Sequence, residues 1–457
     1  MMQGIDMAKK AVEKAVNMGA SQAEAIILVG STALTRYTHN AIHQNVVKNN
    51  TVLNLEVVIG KNKIGTSVVN SLSENAIDQS VERAIKIGKI STPDPDFKHY
   101  PEPLTIEPLP DIYDSRTANV TPEERAEAVK TLIETALDHD KRVTWSTGAY
   151  TVDTGTYAVA NSLGVEAEMT FAAASADIVT KAGDDAVQGS GYRAARSLKV
   201  SDFDFGAMAR SAAEDAVDSI EPKLIPIGEY EAVLTPSATS TLTGFMGRLG
   251  FSARSYQDGF SCLTDKIGSQ VFDEKLTVHD KGRSLETFGA RPFDGEGVPK
   301  GTLRLVKDGV PENLCYDNYT ALKDGTVSTG HAMSKAGSSY FRGFPMPMNM
   351  VVEPGDAAVD EMIEDTKRGV LITRFHYVNA IRNDLAIISG LTRDACWLIE
   401  NGEVKHPIKV MRFTDSVLRV MKEIDMIGGN STVEKLPSAT LPALKVAKFK
   451  FTGQSEF

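Results

Sequence analysis

Residues 53–69 read LNLEVVIGKNKIGTSVV, two runs rich in leucine, isoleucine and valine on either side of a short polar turn. Aliphatic and β-branched runs of this length are typical of strands, and the glycine and asparagine within residues 60–63 are typical of a turn between them. The stretch therefore predicts an antiparallel hairpin. A third aliphatic run, Glu24 to Val29, is predicted to pair with it.

Helical patterns flank these strands on both sides. Apolar residues from Ile5 to Met18 recur at helical spacing, and Gly19 provides a stop signal. A second helical pattern runs from Glu74 to Lys86 behind a candidate N-cap at Ser73. Residues 1–110 are therefore predicted to form an N-terminal α+β domain.

Six of the nineteen prolines lie between Pro93 and Pro110, and this density favours an extended strap because proline interrupts both helices and sheet ladders. The strap closes the first predicted domain. After it, a helix is predicted from Pro122 to Asp138, with Thr121 and Glu124 forming a capping box.

The middle of the chain, residues 111–225, is predicted to be a second α+β domain. Strand patterns run from Val143 to Val179, and a helix from Phe205 to Ser219 ends the unit. The glycines between Gly183 and Gly191 match no phosphate-binding loop and no serine-hydrolase elbow, so they are predicted to shape a turn.

Beyond Pro226, short strands, glycines and loops dominate, and residues 226–457 are predicted to form a mostly β domain with helices at Ser237–Leu249 and Val359–Arg368. The fold class is therefore α+β. An N-terminal α/β region with an antiparallel sheet and helices is followed by a mostly β C-terminal domain.

The net charge and the distribution of apolar residues limit the kinds of partner that the protein is expected to bind. A net charge of -11 disfavours binding to nucleic acid or to anionic membranes. The sequence shows neither an apolar run of membrane length nor the apolar core of a secretory signal, so we expect a cytoplasmic protein that binds peptides or proteins. The three cysteines, Cys262, Cys315 and Cys396, are expected to be reduced core thiols.

A zinc peptidase needs two imidazoles about one helical turn apart, a carboxylate beside the metal-bound water and a third ligand. His39 and His43 have this spacing, but Asn40 follows the first, and residues 36–47 favour an exposed strand and turn. This pair is therefore predicted to lie on the surface.

Imidazole and thiolate groups bind zinc, so His376, His406 and Cys396 are further candidate metal ligands. Their sequence spacing does not favour a site. Cys396 stands in an apolar run, where a buried and inert thiol is expected.

Residues 336–349 read AGSSYFRGFPMPMN and lead into an apolar strand pattern. A glycine-rich loop of this kind can line a cleft and offer backbone groups to an extended peptide, although a long surface connection is the alternative. The candidate cleft-lining residues are Ser338, Ser339, Tyr340, Arg342 and Asn349.

Several segments spread along the chain form a distinctive set. They are Phe-Asp-Gly-Glu-Gly at 293–297, Ser261 to Gly268 followed by Leu276 to Asp280, and Trp-Leu-Ile-Glu-Asn-Gly-Glu at 397–403, with weaker ones in Gly-Ala-Ser-Gln-Ala-Glu at 19–24 and Asn-Ser-Leu-Gly at 161–164. Together, across nearly the whole chain, they resemble the TldD/PmbA peptidase family.

The resemblance also indicates which residues differ. In catalytic members of the family, a helix carries HExxxH and a cysteine in the C-terminal tail adds a zinc ligand. In roughly that register, Gly244 and Leu249 replace the histidines and Phe245 replaces the glutamate, and residues 441–457 contain no cysteine. The resemblance therefore implies a TldE/PmbA-like chain with no catalytic, cofactor-binding or metal-ligating residue of its own.

Such a chain would be the non-catalytic subunit of a zinc metallopeptidase complex that degrades or processes unfolded peptides. It would complete the substrate chamber, either with a TldD-like catalytic subunit that holds the zinc or as a homodimer. Two alternatives stay open: a self-sufficient metallopeptidase with an unrecognised site, and a non-enzymatic peptide-binding homodimer. Metal-dependent cleavage by the chain alone would favour the first, and tight peptide binding without a catalytic partner would favour the second.

Overall fold

The chain forms two β-sheets with helices packed against them, over the residues that the computed structural model describes: 4–184, 187–336, 344–434 and 439–454. The side chain of residue 434 is outside this description. The predicted α+β class, with a mostly β C-terminal region, is confirmed.

The first sheet is antiparallel and has the strand order β3-β2-β1-β4-β5-β6. Its strands are β1 (Gln22–Thr38), β2 (Ala41–Ile59), β3 (Lys63–Val69), β4 (Val143–Asn161), β5 (Glu166–Ala182) and β6 (Gly189–Ser197). The predicted hairpin is confirmed, with Ile59 opposite Lys63. Because β1 also pairs with β4, the strands of the two predicted N-terminal domains share one sheet. The domain boundaries at residues 110 and 225 stay a prediction.

Helices cover one face of this sheet, and local sequence signals define their ends. They are α1 (Gly4–Asn17), α2 (Glu74–Ile90), α3 (Ser115–Ala118), α4 (Pro122–His139) and α5 (Phe205–Asp218). Gly19, at φ +99°, follows α1, and the Ser73 hydroxyl accepts the Ala76 N–H at 3.3 Å. Thr121 and Glu124 form the predicted capping box.

Both faces of the first sheet are buried at its centre, where residues 23–27 are all inaccessible to solvent. Ala23, Ala25 and Ile27 face α1 and α2, whereas Ile26 packs against the C-terminal domain. Successive side chains point to opposite faces of a strand, so a strand covered on both faces is apolar at nearly every position, and Glu24 is the exception in this run.

The predicted proline-rich strap, between Pro93 and Pro110, lies along the second face of the sheet. Asn161 Nδ2 donates to the Pro101 carbonyl at 2.9 Å, and Arg283 of the C-terminal domain donates to the carbonyls of Glu107 and Pro108 at 2.9 and 3.0 Å. The strap therefore bonds to both halves of the molecule.

The second sheet has thirteen strands and forms the centre of the C-terminal domain. They are β7 (Gly228–Leu234), β8 (Val278–Lys281), β9 (Thr302–Lys307), β10 (Val310–Pro311), β11 (Met350–Val352), β12 (Arg368–Ile372), β13 (Arg374–Arg382), β14 (Ile387–Arg393), β15 (Trp397–Glu400), β16 (Glu403–Pro407), β17 (Met411–Ser416), β18 (Ile424–Glu434) and β19 (Ala439–Gln454). Its helices are α6 (Pro236–Gly250), α7 (Ala253–Gln257), α8 (Asn318–Asp324), α9 (Val359–Glu364) and α10 (Val417–Lys422).

Two local predictions were wrong. Helix α9 ends at Glu364, not Arg368, because Arg368 begins β12 and pairs with Glu400. The turn prediction for residues 183–191 holds for Gly183, which lies between β5 and β6 at φ +87°, but Gly189 and Gly191 belong to strand β6. They allow close packing of α5, since a Cβ at either position would lie 2.0 Å from a backbone carbonyl of that helix.

None of the helices in the described parts of the chain combines the length and the apolar character that crossing a membrane requires.

Candidate functional site

Helix α6 is the element in which the resemblance places the altered zinc motif. The Leu249 side chain is 5% exposed and lies in the C-terminal core, and Phe245 packs against the same core. On the next turn from Gly244, a Cβ at Gly247 would lie 2.9 Å from Cε of Met350 in β11. Phe245, Gly247 and Leu249 of α6 are therefore engaged in apolar packing.

Of the five residues predicted to line a peptide cleft, Ser338, Ser339, Tyr340 and Arg342 lie outside the described residues. Asn349 is described: it precedes β11 and is fully buried. Its predicted contact with a peptide stays a prediction.

Asn349 borders a cavity of about 260 Å³. One wall is formed where the chain on the two sides of residues 337–343 comes together: the Met346 N–H donates to the His331 carbonyl at 3.1 Å, and Ala332 pairs with Pro345. The polar lining of the cavity comprises Arg291, Asp294, Lys300, His331, Ser334 and Asn349.

Three buried side chains meet beside this cavity, each held by one hydrogen-bonding group. Asp280 Oδ2 accepts the Asn349 N–H at 2.7 Å, Asn349 Nδ2 donates to Thr287 Oγ1 at 2.9 Å, and His331 Nδ1 lies 2.8 Å from the Thr329 carbonyl. His331 Nε2 is 3.3 Å from Asp280 Oδ1, but the two atoms lack hydrogen-bond geometry. Within the described residues, Asp280 Oδ1, His331 Nε2 and Asn349 Oδ1 accept or donate no hydrogen bond.

Burial and the neighbouring charges shift the pKa values of the two carboxyl groups, Asp280 and Asp294, in opposite directions. Burial raises the pKa of Asp280, but Lys300, His331 and the Asn349 N–H favour the carboxylate more strongly and lower its pKa to about 2. For Asp294, burial outweighs its backbone hydrogen bonds and raises the pKa. Asp280 is therefore a firmly ionised carboxylate beside a buried ammonium.

A second polar cluster, the Lys335 cluster, joins the two halves of the molecule. Lys335 Nζ lies 2.9 Å from Glu24 in β1, 3.3 Å from Glu56 in β2 and 3.8 Å from Glu296 in the C-terminal domain. The Tyr100 hydroxyl of the strap donates to Glu56 at 3.1 Å. One ammonium is thus shared by three carboxyl groups from separate parts of the fold.

Burial sets the protonation of this cluster. It raises the pKa of Glu24 despite the opposing effect of Lys335, and burial together with Asp317 raises that of Glu296 well above its usual range. The pKa of Lys335 is itself well raised, because the attraction of the glutamates outweighs its burial. The folded cluster therefore retains protons that exposed glutamates would release.

The histidines singled out in the sequence lie where the strand patterns predict. His39 occupies the exposed turn after β1 and stacks on Trp145 with ring centroids 4.9 Å apart, and His43 is exposed on β2. His376 is exposed on β13, whereas Cys396 is 2% exposed, and burial raises the pKa of its thiol to about 11.

Across the described parts of the chain, no group of three or more His, Cys, Asp or Glu residues is arranged to hold a metal ion. His406 Nδ1 lies 2.9 Å from the neighbouring Pro407 carbonyl, so this histidine is held locally.

Sequence reasoning did not single out Asp280, His331, Lys300 or Lys335. The available signal was weak: Asp280 is an acidic residue within an otherwise strand-like stretch, and His331 is an isolated histidine. Their proximity arises only from the tertiary fold.

Two protein-family models match this chain, and two named relatives align with nearly all of it. Residues 116–220 match the PmbA/TldA metallopeptidase central domain and residues 227–453 match the PmbA/TldA metallopeptidase C-terminal domain. Metalloprotease PmbA of Escherichia coli O157:H7 is 23% identical over 462 residues, which cover 97% of this chain and 97% of the relative. The Metalloprotease PmbA homolog of Haemophilus influenzae is also 23% identical, over 97% of this chain and 94% of the relative.

The crystal structure of TldE from Thermococcus kodakarensis has the same fold. It superposes with a TM-score of 0.88 at 19% sequence identity, over 98% of this chain and all of the other. The two domain matches together span residues 116–453 apart from a short gap. The chain therefore belongs to the TldD/PmbA metallopeptidase family.

Proposed function

We propose that this chain is the non-catalytic, TldE/PmbA-like subunit of a zinc metallopeptidase complex that degrades or processes unfolded peptides. It completes the substrate chamber, and the catalytic zinc belongs to a TldD-like partner. The observation that carries the proposal is that helix α6 has Gly244, Phe245 and Leu249 at the positions of the altered zinc motif, with Phe245 and Leu249 packed in the apolar core.

The residues at these positions of α6 matter because zinc-dependent hydrolysis needs particular side chains there. Zinc-dependent hydrolysis requires imidazole ligands and a carboxylate that takes a proton from the metal-bound water. A glycine, a phenylalanine and a leucine supply neither ligand nor base. Because Leu249 is buried in the core, restoring a histidine there would also place a polar ring among apolar side chains.

The surface of the C-terminal domain supports docking of a partner chain. Strand β13 pairs with β14 on one side, and within the described residues no strand covers its other edge. The β13–β14 hairpin carries three large apolar side chains with high exposure, Tyr377 at 79%, Ile381 at 60% and Leu385 at 44%. Exposed strand edges and apolar patches are typical of interaction surfaces, so we place the partner contact on this hairpin.

The test is a reconstitution with a TldD-like catalytic chain and an unfolded peptide substrate. We expect no cleavage by this chain alone, slow cleavage by the partner alone and faster cleavage by the mixture, in which native mass spectrometry detects a complex of the two chains. The double variant Tyr377→Asp, Ile381→Asp should remove both the complex and the acceleration. Ile90→Asp, at a side chain 85% exposed on α2, is the matched control and should change neither.

The two alternative functions, a self-sufficient metallopeptidase and a non-enzymatic binding protein, predict different results in the same assay. A mixture that cleaves no faster than the partner alone contradicts the proposal. Cleavage by this chain alone that a chelator abolishes would identify a self-sufficient metallopeptidase. Tight peptide binding by a pure homodimer, without a complex in the mixture, would identify a non-enzymatic binding protein.

A further inference from the structure

We propose that Asp280, His331 and Asn349 form a binding site for one divalent transition-metal ion, such as zinc or manganese, beside the 260 Å³ cavity. The site lies outside helix α6 and does not depend on the proposed function. Its ligand atoms are Asp280 Oδ1, His331 Nε2 and Asn349 Oδ1.

The three side chains are held by the protein in the same way. Each one uses one polar group to bond to the protein and leaves its other polar atom without a hydrogen bond. A metal-ligating histidine typically donates its second ring N–H to a carbonyl or carboxylate, and ligating carboxylates are themselves hydrogen-bonded. His331 has this arrangement with the Thr329 carbonyl, and Asp280 has it with the Asn349 N–H.

The burial of these atoms makes the arrangement costly without a ligand. Asp280 and Asn349 are 0% exposed and His331 is 2% exposed. His331 Nδ1 lies 2.8 Å from the Thr329 carbonyl and 2.9 Å from Thr329 Oγ1. In the neutral tautomer whose Nδ1–H donates to the carbonyl, Nε2 presents a lone pair, and all three free atoms are then acceptors. A buried acceptor without a partner destabilises a fold, because it has lost its hydrogen bonds to water and gained none in return. A cation satisfies all three together.

The distance between the two nearest ligand atoms indicates what kind of cation. Two atoms that each bind a metal at about 2.1 Å with a tetrahedral angle lie about 3.4 Å apart, and His331 Nε2 and Asp280 Oδ1 are separated by 3.3 Å. A water or an ammonium nitrogen at a hydrogen-bonding distance of about 2.8 Å from both atoms would need an angle of only about 72°. A small metal ion therefore fits this pair better than either.

The chemical types of the three ligand atoms limit which divalent ions the site would bind. An imidazole nitrogen together with carboxylate and amide oxygens suits first-row divalent ions rather than calcium, which prefers oxygen ligands alone. The adjacent cavity leaves room for water molecules or a peptide carbonyl to complete the coordination. Because the ligands come from β8, from the segment before residue 337 and from the segment after residue 343, a bound ion would fasten these three segments together.

The positive charge of Lys300 would repel a bound metal ion, so replacing this residue tests the proposal. Its side chain is 8% exposed and Nζ donates to the Gly330 carbonyl at 3.3 Å, which keeps its charge near Asp280. The ammonium neutralises Asp280 when no ion is bound and repels a bound ion. Replacing Lys300 with methionine should therefore tighten ion binding, on the order of tenfold or more.

The experiment is a calorimetric titration of the full chain, purified without a metal-binding tag and stripped with a chelator, with zinc chloride and manganese chloride in turn. We expect one ion per chain for the wild type. Asp280→Ala and His331→Ala should weaken binding by more than the roughly 10- to 100-fold that loss of an outer-shell partner costs. His279→Ala removes a partly buried imidazole from the same strand, which pairs with Glu353 instead of facing the site, and should bind like the wild type.

Circular dichroism of each variant shows whether it folds. If the alanine variants do not fold, ion binding is measured in Lys300→Met and Asn349→Asp instead. Both changes make the site more negative and should tighten binding in a folded protein. The proposal is overturned if the wild type binds no stoichiometric ion, if both alanine variants retain it, or if neither charge-changing variant alters the affinity.

Discussion

Replacing Lys335 with methionine removes the single positive charge from the Lys335 cluster and should destabilise the protein strongly. The side chain is 18% exposed, and the carboxylate of Glu24, its nearest partner at 2.9 Å, is completely buried. Removing one partner of a buried ion pair costs about 3–5 kcal/mol, because the remaining charge is left without compensation. We expect a loss in this range at neutral pH.

The penalty should also depend on pH. Glu24 and Glu296 have raised pKa values in the folded state, so the stability that their protons confer is fully present below the unfolded value of 4.5 and is lost as the pH rises through the folded values. Without Lys335 the carboxylates repel one another more strongly. The destabilisation should therefore be largest at pH 8 and should shrink as the pH falls towards 5.

Urea unfolding followed by circular dichroism at both pH values measures this difference. Lys9→Met is the control, because Lys9 forms an exposed pair with Glu166, with side chains 41% and 51% exposed, and exposed pairs contribute little to stability. Adding Glu24→Gln to the Lys335→Met variant should recover part of the lost stability. A penalty below about 1 kcal/mol, or one that is equal at pH 5 and pH 8, would refute the reasoning.

Three further outcomes are expected. Gly65→Ala should lower the unfolding temperature by several degrees, because its Cβ would lie 2.0 Å from the Ala84 carbonyl, whereas Gly301→Ala, with nothing within 4 Å, should change it little. Thr121→Ala should cost about 1 kcal/mol in urea unfolding through loss of the α4 capping box, and an unchanged midpoint would contradict this. The cysteine thiols should resist a thiol reagent at pH 8 until urea is added, since burial raises the pKa of Cys396 to about 11; rapid labelling of the native protein would exclude this.

The elements that could be predicted from the sequence are those encoded by neighbouring residues. The 53–69 hairpin has its strands and turn in one stretch, and the α4 capping box needs only Thr121 and Glu124. Helix α9 shows the limit of such reasoning. Its pattern continues towards Arg368, but parallel pairing of the following residues with β7 draws them into a sheet, and a distant strand cannot be read from local periodicity.

The polar clusters could not be predicted, because their members are brought together from distant parts of the chain. Glu24 stands inside an aliphatic run and reads as an interruption in a strand. Only the second covered face of the first sheet explains it, since this face turns the carboxylate towards Lys335 of the C-terminal domain. Asp280, His331 and Asn349 likewise come from three segments, and none of those segments contains a recognisable ligand motif.

The segment 293–297, which carries part of the family resemblance, has a physical role that connects the two clusters. Asp294 accepts N–H groups from Glu296, Val298 and Ala332 at 2.9, 3.0 and 2.9 Å, so one carboxylate fixes both a tight turn and the segment that follows His331. That turn places Glu296 in the Lys335 cluster.

The same carboxylate therefore sets the positions of His331, at the proposed metal site, and of Lys335, four residues further on. Replacing Asp294 with alanine would leave three N–H groups without their acceptor and should disturb both places together. We expect Asp294→Ala to weaken ion binding at Asp280 and also to reduce the pH-dependent part of the stability, whereas Lys335→Met should affect only the second. Equal ion binding in the Asp294→Ala and wild-type proteins would show that the two clusters are independent.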